Sequence, residues 1–297
     1  FDHGLLEDSK IIGRTLPLLE CLRNARRAAK TRGNTFLIGE TGTGKELIAE
    51  YIHRNSKKGD YVTHFCQKST EDLSGSEFFG YEKGAFTGAD KATPGIFEKA
   101  NGGTLFIDEF GRVSKPIQNK LLRVLNLETR EISRLNSSKN IKLDLLVILA
   151  SQTQHGHEDT PIIPDIFYRM DSIIEIPTLN GRKEDIPLLT EFFVRKYEKK
   201  YDAEERVISD DVLDVLKSTN WQGNVRQLEN TIKNCIQNYK GIRRFVTSHL
   251  DSNSNFFNQN THDEISSDEY RVENIETSNE LNPSYSPSSL DELLNMV

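Results

Sequence analysis

Gly39-Glu40-Thr41-Gly42-Thr43-Gly44-Lys45-Glu46 stands between a short apolar run, Thr35-Phe36-Leu37-Ile38, and Leu47-Ile48-Ala49-Glu50-Tyr51-Ile52, whose apolar residues recur at helical spacing. The order is strand, glycine loop, helix. Three glycines let the backbone curl so that successive N–H groups point inward, and the positive end of a helix dipole adds to their attraction for phosphate oxygens. Lys45 supplies a mobile cation. The spacing G-x-x-x-x-G-K is that of a phosphate-binding P-loop, except that Glu46 stands where a Mg²⁺-ligating Ser or Thr is usual. A chance glycine turn between strand and helix would explain this stretch alone, but not its pairing with an acidic strand end some sixty residues downstream.

Outward from the loop, 297 residues suffice for one large α/β domain and a smaller unit, and 36% hydrophobic content supports a core. No apolar run approaches the roughly 18 residues that span a bilayer, and no basic and apolar leader opens the chain, so a cytoplasmic location without membrane contact is expected. Cys21, Cys66 and Cys235 are odd in number, share no metal-type spacing and read as reduced, mostly buried thiols. From Asp251 to Val297 ten acidic residues face one basic residue, which leaves about +2 of the net charge of −7 for the rest. That tail, rich in Ser, Asn and Glu, reads as an acidic disordered linker over 251–287. Residues 288–297 resemble a capped helix start, either the first turns of a truncated further domain or a docking helix. The chain starts on Phe rather than Met and reads as a fragment.

Gly102 to Glu109 reads as a buried parallel strand ending in two carboxylates. In an open α/β sheet, ligands sit beyond the carboxyl ends of strands, which brings the pair beside the glycine loop. Asp108 is expected to hold Mg²⁺, directly or through water, and Glu109 to orient or activate the attacking water. The plain alternative is an acidic pair that only ends a strand. Upstream, Ile11-Ile12-Gly13-Arg14 precedes a helical pattern through Leu16, Leu19, Leu22 and Ala25, and its apolar residues serve equally as an adenine platform or as core. Glycines at 80, 84 and 88 make a poor helix interior, at about 1 kcal/mol each, so this stretch predicts an exposed loop between helical arms that presents Phe86. The cluster His155-Gly156-His157-Glu158 lacks further ligands at suitable spacing and reads as solvated loop.

From about Ile11 to Tyr239 the chain resembles the AAA+ central domain of sigma-54-dependent bacterial transcription activators, the enhancer-binding proteins. Gly84-Ala85-Phe86-Thr87-Gly88-Ala89 matches that family's GAFTGA loop for engaging sigma-54, and Glu46 after the lysine matches its P-loop variant. The resemblance implies a P-loop NTPase with a five-stranded parallel sheet between helices over 11–178, then a helical lid over 179–240. It implies ATP and Mg²⁺ as ligands, with Ile12, Gly13 and Gly39 through Glu46 around the nucleotide. Gln152 falls at the sensor I position and Arg226 at sensor II, while Arg169 would reach a neighbouring subunit's nucleotide in a homo-oligomeric ring, by resemblance a hexamer. Asn224 reads as a helix cap, with Gln227 completing a capping box. The implied activity is ATP hydrolysis that remodels the closed promoter complex of sigma-54 RNA polymerase, with DNA bound only through a domain absent from this chain.

Three positions depart from the family pattern. Ile163 replaces one of two arginines, Phe65 replaces an asparagine thought to gate the catalytic glutamate, and Gln152 replaces the usual sensor asparagine. These changes spare nucleotide binding and bear on turnover. They keep open a second reading, a nucleotide-binding regulator of the same fold that hydrolyses weakly or not at all.

Overall fold

In chain order the elements are α1 (Leu16–Thr31), β1 (Thr35–Ile38), α2 (Lys45–Ser56), β2 (Tyr61–Phe65), α3 (Glu71–Phe79), β3 (Gly80–Tyr81), β4 (Thr93–Pro94), α4 (Ile96–Lys99), β5 (Thr104–Asp108), α5 (Lys115–Val124), β6 (Glu131–Ser133), β7 (Asn140–Lys142), β8 (Leu146–Ser151), β9 (Gly156–His157), β10 (Thr160–Pro161), α6 (Pro164–Phe167), β11 (Ser172–Glu175), α7 (Ile186–Tyr201), β12 (Val207–Ile208), α8 (Asp210–Ser218), α9 (Asn224–Asn238) and β13 (Arg244–Phe245). This computed structural model describes residues 10–250, apart from 58, 67–70, 155, 158, 159, 205, 240–243, 246, 248 and 249. The expected linker at 251–287 and helix start at 288–297 lie outside the described residues, as do His155 and Glu158. Among those described, no group of three or more His, Cys, Asp or Glu is placed to hold a metal, and no helix is long and apolar enough to cross a membrane.

The chain divides into two units. The first comprises Phe1–Ile186 and Asn220–Leu228. Its centre is a five-stranded sheet in the order β11-β1-β8-β5-β2, every pair parallel. Side chains alternate across a strand, so each β-run supplies both faces at once. Phe36, Leu105, Ile107, Val147 and Leu149 join Phe78, Phe97, Ile117, Leu121 and Ile166 on one side. Leu37, Phe106, Ile148, Ala150 and Ile174 meet α1 and α2 on the other, through Leu18, Leu22, Ala25, Ile48 and Ile52. Burial on both faces is why the three central strands β1, β5 and β8 are near-continuous apolar runs, whereas the edge strands β2 and β11 mix polar and exposed residues with apolar ones.

Leu16 departs from the expected stripe. It is 60% exposed, and Leu18 takes the inward place at 1% exposure. The helix opens with Pro in its first turn, where the missing N–H costs nothing, and closes at Arg32 in the left-handed conformation. The stretch expected as an exposed loop begins and ends in a two-residue antiparallel ribbon, β3 with β4, set between α3 and α4.

The second unit comprises Pro187–Thr219 and Glu229–Val297, and its described residues are mostly helical, with the short parallel pair β12 and β13. Leu189, Phe193, Val194, Val212, Leu216, Ile232, Cys235 and Ile236 are among its buried residues. Within it the Glu198 carboxylate accepts the Arg206 backbone N–H at 2.7 Å, and the Arg206 guanidinium donates to the Tyr239 carbonyl at 2.7 Å. Ser209 occupies the N-cap position of α8 without a side-chain bond to that helix.

Candidate functional site

The glycine loop closes on itself before it meets anything else. Gly39 N–H donates to the Ser151 carbonyl at 3.1 Å, so the loop leaves β1 alongside the end of β8. Thr43 Oγ1 donates to the Glu40 carbonyl at 2.8 Å. Gly42 and Gly44 take φ of +79° and +103°, the left-handed region that favours glycine. At Gly42 a Cβ would also lie 2.3 Å from the Gly223 carbonyl oxygen, so the position excludes a side chain twice over.

Lys45, 7% exposed, turns its ammonium onto the loop, donating to the carbonyls of Gly39 at 2.9 Å and Glu40 at 3.3 Å. Burial pushes its pKa down, and Asp108 and Glu109 act in the opposite sense. Asp108 ends β5, and one of its oxygens accepts the Glu109 N–H at 2.8 Å. Burial raises the Asp108 pKa above the usual carboxylate value, while that N–H and Lys45 hold it back. Glu109 is 9% exposed and left-handed, with φ of 54°, in a conformation that costs a non-glycine residue about 1 kcal/mol or more. Gln152 Nε2 reaches both of its carboxylate oxygens, at 3.3 and 3.4 Å, and Arg112 Nε lies 3.6 Å from one of them.

The segment 220–228 belongs to the same unit and covers the loop. Arg226 N–H donates to the Gly42 carbonyl at 3.3 Å, and the Arg226 charge acts on both Lys45 and Asp108. Asn224 is not the cap expected for its own helix. Its Nδ2 donates to a Glu40 carboxylate oxygen at 3.0 Å and to the Thr41 carbonyl at 3.1 Å, and its Oδ1 accepts from Leu179 N–H at 2.8 Å. Gln227 reaches back instead to Gly223 N–H, at 2.7 Å.

Ile11 and Ile12 are buried, 7% and 8% exposed. After them the Asp185 carboxylate accepts the N–H groups of Arg14 and Thr15 at 2.7 and 3.1 Å and the Thr15 hydroxyl at 2.7 Å. A Cβ on Gly13 would stand 2.5 Å from that carboxylate, which fixes glycine there. Asp185, Asn224, Arg112 and Arg182, whose guanidinium is buried with Nη2 3.4 Å from the Thr43 carbonyl, were not legible as site residues in the sequence. A Gly-Asn pair just before a helix was the one available signal, and it points to a turn as readily as to a cap.

The GAFTGA stretch forms a compact turn. Gly84 N–H donates to the Ala89 carbonyl at 2.8 Å, and Ala89 N–H to that of Phe86 at 3.0 Å. Gly84 and Gly88 are left-handed with open space around them, so backbone conformation alone demands glycine. Phe86 is 48% exposed and rests against Tyr81, ring centroids 4.9 Å apart. Beneath the turn Arg134 donates to Glu98 at 2.7 and 2.8 Å and to Glu82 at 3.3 Å.

Of the departures, Phe65 is 55% exposed at the end of edge strand β2, opposite Asp108 in register. Ile163 is half-buried against the core, with its N–H bonded to Gln118 Oε1 at 2.9 Å. Arg169 lies just beyond α6, and its backbone carbonyl accepts from Asn34.

Residues 11–176 match the family model described as the sigma-54 interaction domain. The chain belongs to that family. Residues 180–264 match the AAA+ ATPase lid domain. This sigma-54 interaction domain is 40% identical over 233 residues to the nitrogen fixation protein VnfA of Azotobacter vinelandii, covering 77% of this chain and 44% of that protein. To the regulatory protein AtoC of Escherichia coli it is 37% identical, covering 74% of this chain and 48% of that one. It thus spans about half the length of these relatives. Among solved structures, NtrX of Brucella abortus in complex with ATP is similar at 30% identity and a TM-score of 0.70, covering 82% of this chain and 56% of that one. The RuvB branch migration motor of Thermotoga maritima, 15% identical with a TM-score of 0.56 over 84% of this chain and 72% of that one, shares the AAA+ fold alone.

Proposed function

We propose that this domain hydrolyses ATP as part of a ring of identical subunits, and that the cycle drives its GAFTGA turn against sigma-54 bound to RNA polymerase in the cytoplasm. The observation that carries the reading is the convergence of Lys45, Asp108, Glu109, Gln152 and Arg226 on one glycine loop. A buried ammonium that donates to carbonyls of its own loop is suited to a phosphate oxygen, and a loop whose Gly42 admits no Cβ has the close backbone approach that phosphates need, so these residues fit ATP. Gly39 through Glu46 would hold its phosphates, Ile12 and Gly13 would lie along the base, and Asp108 would hold Mg²⁺ directly or through water. ATP supplies the phosphoryl bond to be broken, and Mg²⁺ neutralises charge on it.

Lys45 then leaves the carbonyls of Gly39 and Glu40 for the phosphates. Glu109 orients and deprotonates a water, while Gln152 and Arg112 fix where its carboxylate stands. Arg226 senses the phosphate from the segment over the loop, and Arg169 serves the nucleotide of the next subunit, one charge acting where the family pattern has two. Gly84, Ala85, Phe86, Thr87, Gly88 and Ala89 form the sigma-54 contact. The test is capture of sigma-54 by the domain with ADP and aluminium fluoride, which mimics the transferring phosphoryl group. A domain that binds ATP yet never binds sigma-54 in any nucleotide state would refute the reading.

The second reading, ATP as an assembly signal with little hydrolysis, draws on Ile163. Its N–H is engaged by Gln118 and its side chain lies on the core, so nothing at that position offers a charge to a neighbour. Phosphate release measured against protein concentration separates the two. A trans-acting arginine gives a rate per subunit that rises as rings assemble, and a pure assembly signal gives none.

A further inference from the structure

Asn34, immediately before β1, is completely buried and uses every polar group it has. Its N–H donates to an Asp171 carboxylate oxygen at 2.7 Å. Its carbonyl accepts the N–H groups of Asp171 and Ser172 at 2.9 and 3.2 Å. The side-chain Nδ2 donates to the carbonyl of Leu125 at 2.7 Å and to that of Arg169 at 2.9 Å, and Oδ1 accepts from Arg130 Nη2 at 2.6 Å. Only one amide orientation satisfies this set, because a flipped amide would face NH₂ to the guanidinium and oxygen to two carbonyls.

Arg130 is itself 8% exposed and donates through Nη1 to the Leu145 carbonyl. Burial lowers its pKa, against the pull of Asp171 and Asp144. Gly33 completes the arrangement, since a Cβ there would fall 2.4 Å from the Asp171 carboxylate and push it away. Two chain segments are thereby pinned to one residue: its side-chain amide holds Leu125 after α5 and the Arg169 carbonyl, and its backbone holds Asp171 and Ser172.

We propose that Asn34, braced by Arg130, is the positioning residue for Arg169, holding the backbone from which that side chain reaches the neighbouring subunit's nucleotide. The proposal rests on the reading of Arg169 as a trans-acting arginine. A buried, fully satisfied polar cluster is costly to disturb and has a single arrangement, which suits it to fixing a backbone point. Fixing that point matters because a misplacement of about 1 Å in a reacting group lowers a rate by about a hundredfold.

The test mixes two full-length chains. Lys45→Ala keeps Arg169 but binds ATP more than tenfold more weakly, whereas Arg169→Ala binds ATP but supplies no arginine, so at an ATP concentration that fills only the second chain turnover in the mixture reports an arginine delivered between subunits. Asn34→Ala added to the Lys45→Ala chain should cut that turnover on the order of tenfold or more. Added to the Arg169→Ala chain, it should leave the mixture within about twofold, because the amide then has no arginine to place. Asn34→Ser keeps the Asn34 backbone bonds to Asp171 and Ser172, brings no charge into the buried site and loses the side-chain donors to Leu125 and Arg169, so it should show the same asymmetry if the alanine variant fails to fold. Equal losses in either chain would make Asn34 purely structural, and no loss in either would remove its role; both overturn the proposal. A parental mixture no faster than its separate components overturns the reading of Arg169, and this proposal with it.

Discussion

Lys45 shows how much a single side chain can carry. It is a buried cation held by carbonyls of its own loop, in reach of the fields of Asp108 and Glu109. A charge-assisted contact in a dry site is worth about 1.5 to 3 kcal/mol, so Lys45→Ala should weaken ATP binding more than tenfold in a titration with a fluorescent nucleotide. Unchanged affinity would remove Lys45 from the site. Glu109→Gln separates binding from chemistry. It should bind ATP as the parent does and release no phosphate, and lost binding would instead mark Glu109 as structural. Its left-handed backbone and its bonds from Gln152 could not have been read from the sequence, where Asp108-Glu109 is only an acidic pair at a strand end. Gln152, expected to report on the nucleotide, is found first of all on the glutamate.

At the scale of elements, the GAFTGA turn is held by hydrogen bonds within itself and by the contact of Phe86 with Tyr81. Phe86 touches Tyr81 and little is added by Gly84 or Gly88, around which there is open space. Phe86→Ala and Thr87→Ala should therefore keep ATP hydrolysis near that of the parent while abolishing capture of sigma-54 with ADP and aluminium fluoride. Joint loss of both activities in a folded protein would count against a dedicated contact. Edge strand β2 makes a separate prediction about pH. His64 on this strand and His53 of α2 both have pKa values lowered by burial, against the opposite pull of Glu77 on the one and of Glu50 and Asp60 on the other, so folding disfavours their protonated forms. With folded values below the unfolded value of about 6.5, the contribution of these two histidines to stability is full above that pH and is lost as the pH falls through the folded values. The unfolding temperature should drop on acidification below about pH 6.5, and His64→Gln should flatten the drop. The elements themselves were largely legible. Thr35–Ile38 and the strand ending at Asp108 announce themselves by local apolar runs beside glycine. The links from Asn224 to Glu40 and from Asp185 to Thr15 span well over a hundred residues, and no local spacing encodes such a pair.

For the whole molecule the central question is whether one subunit completes another. A trans arginine is worth about 10³ to 10⁵ in rate, roughly 4 to 7 kcal/mol of barrier. Arg169→Ala should accordingly remove slow, concentration-dependent phosphate release without affecting ATP binding. A variant as fast as the parent would bring the assembly-signal reading forward. Ile163→Arg is expected to lower the unfolding temperature rather than restore a second arginine, because its side chain would have to leave the core on which isoleucine lies. The first unit also draws Asn220–Leu228 from far along the chain, and that short piece supplies Trp221, Asn224 and Arg226. Gly42 has no room for a side chain because of Gly223. A single crossover after residue 186 therefore separates the glycine loop from the segment packed on it. A hybrid gene joined there inherits a glycine loop from one parent and its cover from the other, and recombinants that survive selection should carry both pieces from the same source.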